Sequence, residues 1–566
     1  MKIKFRHILL VILAVFMILI IVAVVYIRNI HIPPPDIKDT TCIQWQRTQV
    51  NDSLYFVGNN WLHRSPGGLW EVYLEGNAFE RGVAFGKLTR ELLEYQEDAF
   101  VEMINQYVPS PSYLNFLRYF VAFFNRNLPE YIPEEYQQEI YGVSLSTSSR
   151  FDFIAPAYLR QLNYHAAHDI GHALQNMNLV GCTSFALWDN RTQDNQLLIG
   201  RNFDFHAGER FAENKLLCFV NPDTGYPFVM IGWAGMCGVL SGMNEKGLTV
   251  TINAAKSGIP TSSAMPVSLL AREILQYAST IQEAQRIAGK RQVFVSESFL
   301  IGSLSDNKAA VIEKTPEKTA LYTSSGNQIV CTNHFQGKAF ADDAMNIENI
   351  RESDSPYRYA RVRELLEGKS GVDEHLTASI LRETRGLNDK HIGYGNEKSI
   401  NQLIAHHSVI FHPSEKKFIV STHPYQLGEM KAYRMDSIFT MTADRLLQAK
   451  DLSYAAENIP ADTLLYSIDY AHFLQYRQMR DSLKAGISKK NEITVDESFR
   501  DRFISSNPEM YDVYHLLGDW YESREEPDQA VSYWKMALSK EIPRLREKEN
   551  LEKKIQKHQN KVSIRP

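Results

Sequence analysis

Gly181-Cys182-Thr183-Ser184-Phe185, followed by Gly200-Arg201-Asn202-Phe203-Asp204-Phe205, is the stretch whose reading decides the fold. A cysteine behind a glycine, with an Arg and an Asp downstream, admits two readings. In one, Cys182 is a small buried residue at the start of a strand, the usual fate of a single cysteine. In the other, the chain cuts itself before Cys182, and the thiol with its new free amine attacks an amide. Five letters do not choose between them, so the choice rests on the rest of the chain.

The 566 residues suffice for two or three domains with a sizeable core. Acidic residues outnumber basic ones 66 to 61, and no basic stripe stands out, which argues against a nucleic-acid partner. Five scattered cysteines (Cys42, Cys182, Cys218, Cys237 and Cys331) make no disulfide framework. None stands in a C-x-x-C pair, so no structural metal is expected, and no motif calls for a cofactor. Residues 8–27 are an unbroken apolar run, long enough as a helix for a hydrocarbon core of about 30 Å. Lys2, Lys4 and Arg6 precede it and only Arg28 follows closely, which puts residues 1–7 in the cytoplasm and the remainder outside. The run exceeds a signal-peptide core and no A-x-A site follows, so a single-pass signal anchor is expected rather than a cleaved leader. Residues 28–60, with Pro33-Pro34-Pro35, read as a stiff linker holding the folded part off the membrane, on the periplasmic or cell-surface side.

From 61 to 181 the pattern is one short strand, Gly68 to Leu74, and then helices. The aromatics between Tyr113 and Phe124 fit helix packing or the wall of an apolar pocket for an acyl chain. His168 and His172 share a helical face near His165, but no Cys or carboxylate completes a metal set. After Cys182 the texture turns to short β-type runs: Leu197–Gly200, Leu216–Val220, Phe228–Ile231 and Leu248–Ile252. Asn221 to Gly225 and Asn244 to Gly247 are hairpin turns between them. A helix is expected over Pro266 to Gly289, strands over Phe299–Ser303, Ala309–Glu313 and Gln328–Thr332, a helix over Tyr359–Leu366, and a hairpin over Ser408–Ser421. Antiparallel strands with inserted helices predict an α+β sandwich for 182–435. Residues 436–566 read as helical. Tyr514, Leu517, Gly518, Tyr521, Ala530, Trp534 and Ala537 fall at tetratricopeptide offsets, with Pro543 one place late. A single such repeat must pack on neighbours such as Thr463 to Leu483, and a plain helical hairpin is the alternative. This tail would offer a surface to a protein partner.

Five short pieces occur in one order: Gly181–Phe185, Gly200–Asp204, Gly242-Met243-Asn244-Glu245-Lys246-Gly247-Leu248, Cys331-Thr332-Asn333-His334-Phe335 and Asp354-Ser355-Pro356-Tyr357-Arg358-Tyr359-Ala360-Arg361. In this order they resemble the N-terminal-nucleophile hydrolases that begin with cysteine. Within that group lie the penicillin acyltransferase-like C45 proteins, the choloylglycine (bile salt) hydrolases and, more distantly, the acid-ceramidase group. The resemblance covers about Trp61 to Met435, and the long segment before Cys182 looks most like the C45 branch. It implies an αββα sandwich of antiparallel sheets. It further implies Asn333 as the side-chain oxyanion donor, Asn253 as a backbone N–H donor, and Arg358 as a second active-site arginine. Arg361 lies on the same helix and is open to exchange with Arg358; the spacing from Asn244 to Asn253 is one residue shorter than in choloylglycine hydrolases.

The residue types suit that chemistry. A thiol with pKa near 8.5 is only a few per cent ionised at pH 7, whereas an α-amine titrating near 7.7–8.0 on the same residue can take its proton. That requires cleavage after Gly181, because a peptide nitrogen is no base. Arg201 would favour the thiolate, and Asp204 would accept from the protonated amine. The expected activity is a self-processing amidohydrolase or acyltransferase. It would act on a small linear amide or acyl thioester, with a lipid-like acyl group, through a Cys182 thioester, and hydrolysis is favoured outside the cytoplasm. His334, His406 and His407 are left as structural or substrate-proximal. The rivals are a papain-type cysteine peptidase without self-cleavage and a membrane-tethered helical-repeat scaffold on an inactive hydrolase domain.

Overall fold

Leu216-Leu217-Cys218-Phe219-Val220 is apolar at five consecutive positions, the pattern of a strand covered on both faces. In the computed structural model Leu216, Cys218 and Val220 enter one core while Leu217 and Phe219 enter another. The structure describes residues 7, 13, 17, 32–107, 110–173, 181–205, 208–256, 258, 263–489 and 495–562. The expected anchor at 8–27 lies outside the described residues except for Leu13 and Met17. Among the described residues, no helix is long and apolar enough to cross a membrane.

Among the described residues, seventeen strands form two sheets. In chain order they begin with β1 (Arg47–Asn51), β2 (Leu54–Val57), β3 (Asn60–Arg64), β4 (Trp70–Gly76), β5 (Thr183–Leu187) and β6 (Leu198–Asp204). Next come β7 (Leu216–Pro222), β8 (Phe228–Gly232), β9 (Ser241–Asn244), β10 (Leu248–Ala254), β11 (Glu297–Ser303) and β12 (Lys308–Lys314). The last are β13 (Thr319–Tyr322), β14 (Gln328–Cys331), β15 (Ala405–His412), β16 (Lys417–Ser421) and β17 (Met430–Arg434). The larger sheet runs β1-β2-β3-β4-β7-β8-β9-β10-β11-β12-β13, and the smaller runs β14-β5-β6-β15-β16-β17. The helices that matter are α1 (Ala78–Leu88), α2 (Arg90–Tyr107), α3 (Pro111–Phe124), α4 (Glu134–Ser144), α5 (Ala157–Ala173), α6 (Val267–Tyr277) and α7 (Ile281–Lys290). They are followed by α8 (Ser355–Leu366), α9 (Glu374–Leu381), α10 (Ile468–Lys489), α11 (Glu497–Ser506), α12 (Tyr511–Ser523), α13 (Pro527–Leu538) and α14 (Leu545–Val562).

Three apolar cores fix the layering. The first joins one face of the large sheet (Val250, Ile252, Phe299) to α1, α4, α5, α6 and α7. The second joins the other face (Leu217, Phe219, Val311) to one face of the small sheet (Ile199, Val409, Phe418). The third joins the small sheet's far face (Leu198, Ile410, Ile419) to α8 and α9. Helix, sheet, sheet, helix is therefore the order, held mainly by side chains each contributing about 1.5–3 kcal/mol on burial. The expected α+β sandwich is present.

Several details differ from expectation. The sheet starts at Arg47, inside the stretch read as linker, because β1 is an edge strand with four exposed residues and no apolar alternation to betray it. β4 pairs with β7 in parallel, the single parallel pair among the named strands described. It weaves the segment before Cys182 into the sheet made by the segment after it. Pro266 to Gly289 holds two helices, broken where Thr280 caps α7. On α3, Tyr113, Phe120 and Phe123 stand partly exposed, while Phe124 packs on Phe294, so this stretch is a surface helix rather than a pocket wall.

Among the described residues the tail is mainly helical from Ile468, with 449–467 running in short turns. α12 and α13 form the hairpin that the spacing required, Trp534 lying fully buried against Gly518, and α10 packs beside it as expected. The assignment to a repeat family rests on spacing alone. The tail docks through Gly393, whose φ is +86° and where an added Cβ would lie 2.6 Å from Met510 Cα. Gly393→Ala combines a left-handed backbone with a clash against main chain. It is expected to cost about 3 kcal/mol and to loosen 468–562 from the core, read as faster proteolysis within the tail.

Candidate active site

Cys182 precedes β5 at the edge where the two sheets meet. Gly181 N–H donates to Asp204 O at 2.9 Å, and the registers Thr183↔Asn202 and Ser184↔Cys331 extend to set Cys182 between Phe203 and Asn333. The small sheet thus brings together Cys182, Arg201, Asp204 and Asn333, which lie far apart along the chain.

Cys182 is fully buried, and Arg201 Nη2 lies 3.5 Å from its Sγ. Burial pushes the thiol up to about 11, with Arg201 the main opposing influence. Arg201 is itself fully buried and makes no salt bridge among the described residues. Its other hydrogen-bond partners are the carbonyls of Leu240 and Ile252, Ser241 Oγ and His407 Nε2. Arg201 therefore offsets part of what burial costs a thiolate at Cys182, and the net effect in the uncut chain still holds the thiol neutral.

Asp204 is also fully buried, and neither carboxylate oxygen has a hydrogen-bond partner among the described residues. Burial pushes its carboxyl up to about 8, against Arg358 and Arg201, which hold it down.

Arg358, on α8, is the arginine of the pair that reaches Cys182. It donates to Cys182 O, to Thr183 Oγ1 at 2.9 Å and to Asn333 Oδ1 at 2.8 Å, with Asp354 at 3.3 Å. Arg361 points elsewhere, to Glu364, Glu383 and Asp389. Asn333 is clamped on both ends of its amide: Oδ1 accepts from Arg358, and Nδ2 donates to Ala254 O at 2.9 Å. One Nδ2 hydrogen remains for a developing oxyanion.

Asn253 differs from expectation. Its side chain ties the sheets together, accepting from Ser184 Oγ at 2.9 Å and donating to Cys331 O at 3.0 Å. Ala255 N–H donates to Ser296 O, and the same phase of the β10–β11 register commits Asn253 N–H to Ser298. In the single chain that N–H is not free to hold an oxyanion, because the ladder already uses it. Asn244 organises its turn, accepting from Lys246 N–H and Leu248 N–H.

Other residues of the site lie outside the expected catalytic set, which leaves His406 and His407 as structural or substrate-proximal. Ser241 and His407 brace Arg201, and a β-bulge opposite Phe203 turns His406 and His407 towards one another, Nδ1 to Nδ1 at 3.0 Å. Arginine only donates, so His407 Nε2 accepts; burial keeps both rings neutral, pushing His406 down to about 3. Glu297 is a buried carboxyl without a hydrogen-bond partner among the described residues, raised by burial and by nearby Asp169. Beside Phe205, the residue after Asp204, a cavity of about 50 Å³ is lined by Phe100, Tyr164, Phe211, Trp233 and Met236. That is room for a water or two, so an acyl group would have to part these aromatics.

His165 serves the core, accepting from Cys237 N–H at 2.9 Å and bonded to Gln161 O; the side chains of His168 and His172 lie outside the described residues. His334 bonds Ser355 and Thr332. Among the described residues, one trio could gather round a metal ion, Asp194, His412 and Glu415, and Lys417 Nζ already sits 3.0 Å from Glu415.

Residues 191–418 match the family described as acyl-coenzyme A:6-aminopenicillanic acid acyl-transferase, a span that includes Arg201, Asp204, Asn253, Asn333 and Arg358 and begins just after Cys182. An uncharacterised protein of Archaeoglobus fulgidus is 26% identical over 275 residues, covering 45% of each chain. Protein dcd1B of Dictyostelium discoideum is 22% identical over 261 residues, covering 43% of this chain and 49% of that one. The chain thus spans about half the length of the curated relatives it matches. Among solved structures, the Caenorhabditis elegans ortholog of N-acylethanolamine-hydrolyzing acid amidase is 18% identical, covering 41% of this chain and 93% of that one, with a TM-score of 0.30. A mutant of conjugated bile acid hydrolase from Clostridium perfringens is 15% identical, covering 45% of this chain and 93% of that one, with a TM-score of 0.32. At these scores the overlays are likeness alone. The segment 191–418 carries the pattern of the acyl-coenzyme A:6-aminopenicillanic acid acyl-transferase family, and the resemblance of this chain to the cysteine N-terminal-nucleophile hydrolases holds.

Proposed function

We propose that the chain is a self-processing amidohydrolase or acyltransferase whose nucleophile is Cys182 once its α-amine is free. The observation that carries this is Asp204: a fully buried carboxyl beside Cys182, pushed up to about 8 and lacking any hydrogen-bond partner among the described residues. Leaving such a group unsatisfied costs stability unless some state of the protein uses it. An ammonium at the Cys182 nitrogen is that use, since Gly181 N–H already docks on Asp204's own carbonyl.

In the cut chain the amine takes the thiol proton, directly or through water, and Arg201 favours the thiolate. Sulfur adds to the substrate carbonyl; the free Nδ2 hydrogen of Asn333, held by Arg358, stabilises the oxyanion. Collapse expels the amine with the proton carried by the α-ammonium, leaving a thioester. Water or a second amine then takes the acyl group. Both outcomes use one site, and hydrolysis is the reading for an extracytoplasmic enzyme anchored by residues 8–27. A lipid-like acyl group would lie in the aromatic cavity beside Phe205. A papain-type arrangement finds little support, since Arg201 rather than a histidine adjoins Sγ.

The test is acyl trapping. The cut chain is mixed with an acyl 4-nitrophenyl ester, quenched in acid and mass-analysed. One hydroxylamine-labile acyl group on Cys182 is expected, and acylation confined to other residues would refute the nucleophile.

A further inference from the structure

Gly181 lies against a side chain that the turnover mechanism does not use. Gln402 is buried, and its Nε2 donates to Gly181 O at 3.4 Å. The approach is close enough that a Cβ on Gly181 would lie 2.6 Å from Gln402 Nε2. The bond around the cut is thus held from several sides. Gly181 N–H is fixed by Asp204 O, Gly181 O faces Gln402, Cys182 O accepts from Arg358, and Sγ accepts from Arg201.

We infer that Gln402 is a catalytic residue of self-cleavage, its side-chain amide donating to the oxyanion that forms when Cys182 attacks the Gly181 carbonyl. This rests on the self-processing reading and adds a residue to it. Asn333 lies beside Cys182 at the end of the neighbouring strand and is assigned to the incoming substrate, whereas Gln402 touches the amide carbonyl that exists only in the uncut chain. The step balances. Asp204 in its carboxylate form, the minor form below about pH 8, takes the thiol proton; sulfur bonds to the Gly181 carbonyl carbon, whose oxygen becomes the anion facing Gln402 Nε2–H. The C–N bond to Cys182 then breaks, its nitrogen takes the proton from Asp204, and a Gly181 thioester and a free α-amine result. One water hydrolyses that thioester, giving the Gly181 carboxylate and restoring the thiol.

The fold holds Gln402 firmly for this. Leu403 next to it has a φ of +54°, uncommon for a leucine, and its N–H is held by Asn401 Oδ1 at 3.0 Å. Leu403's side chain is fully buried among Phe473, Tyr476 and Leu517 of the helical tail, and Ala405, two residues on, is the register partner of Asp204. The tail therefore anchors one side of Gln402 and the small sheet the other.

The test follows full-length chains pulse-labelled during cell-free synthesis, with the appearance of the fragment beginning at Cys182 read on denaturing gels. Gln402→Met keeps the length of the side chain and removes the donor, and Gln402→Leu removes it by a second route. Folding is checked for each by thermal melting. A folded variant is expected to cut 10²- to 10³-fold more slowly than wild type, the usual effect of losing one oxyanion donor. Either folded variant cutting at the wild-type rate overturns Gln402's role while leaving self-cleavage intact. A wild-type chain that never cuts overturns the self-processing reading itself.

Discussion

A Cys182→Ala chain is expected to stay a single polypeptide and to lose turnover by on the order of 10⁶-fold, as happens when a nucleophile is removed from a group of residues that act as a unit. Both losses follow from one atom. On the proposed mechanism Sγ is the attacking atom in the cut and in catalysis, and without it the free amine that would serve as base never forms. The fold should survive. Arg201 keeps its bonds to Leu240 O, Ile252 O, Ser241 and His407, and the volume lost is small. Melting should therefore shift by only a few degrees, separating loss of chemistry from loss of structure. Cys218→Ala removes an equally buried thiol to which no arginine donates a hydrogen bond among the described residues, and that chain should cut and turn over as wild type.

The second large effect is a change of sign at Asp204. In the uncut chain its carboxyl titrates at about 8 when folded and near its ordinary 3.8 when unfolded. The native state then binds the extra proton, so this group's contribution falls as pH rises from about 4 to about 8 and is level beyond both limits. In an uncut Cys182→Ala background, Asp204→Asn should accordingly raise the melting temperature at pH 8 and leave it unchanged at pH 3. On the proposed reading an ammonium would face the carboxylate after the cut, the shift would reverse, and the charged form would become the stabilising one. In the cut wild-type chain, Asp204→Asn should instead lower the melting temperature at neutral pH and cut turnover by about 10²-fold or more. Melting curves from pH 3 to pH 8 on the cut and uncut pairs decide it; an equal effect in both would show that Asp204 does not meet the amine.

Much of this was legible in the order of residues. Runs such as Leu216 to Val220 are apolar at every position, which says that a strand is buried twice over and that two further layers are needed. Cys182, Asp204 and Asn333 sit at strand ends and Arg358 near a helix start, with Arg201 mid-strand, so reading the strands brings these residues near one another. What stayed hidden depends on contacts rather than on type. β1 is polar because it is an edge, and edges carry no period. Asn253 has the expected identity, but register decides that its N–H belongs to Ser298. Arg358 and Arg361 lie three apart on one helix, and only the direction in which each faces separates the clamp on Cys182 from a surface network. Gln402 is one glutamine in a loop, and nothing in its neighbours' letters shows that it reaches Gly181.

Everything in the reaction as drawn depends on one bond being broken by the protein itself. Intact-mass analysis of the purified wild-type chain tests this most directly, with Cys182→Ala alongside. Two fragments are expected from wild type, one ending at Gly181 and one beginning at Cys182, held together through the β4–β7 pairing until denatured, and a single uncut mass from Cys182→Ala. A wild-type chain that stays whole while turning over an amide would contradict it.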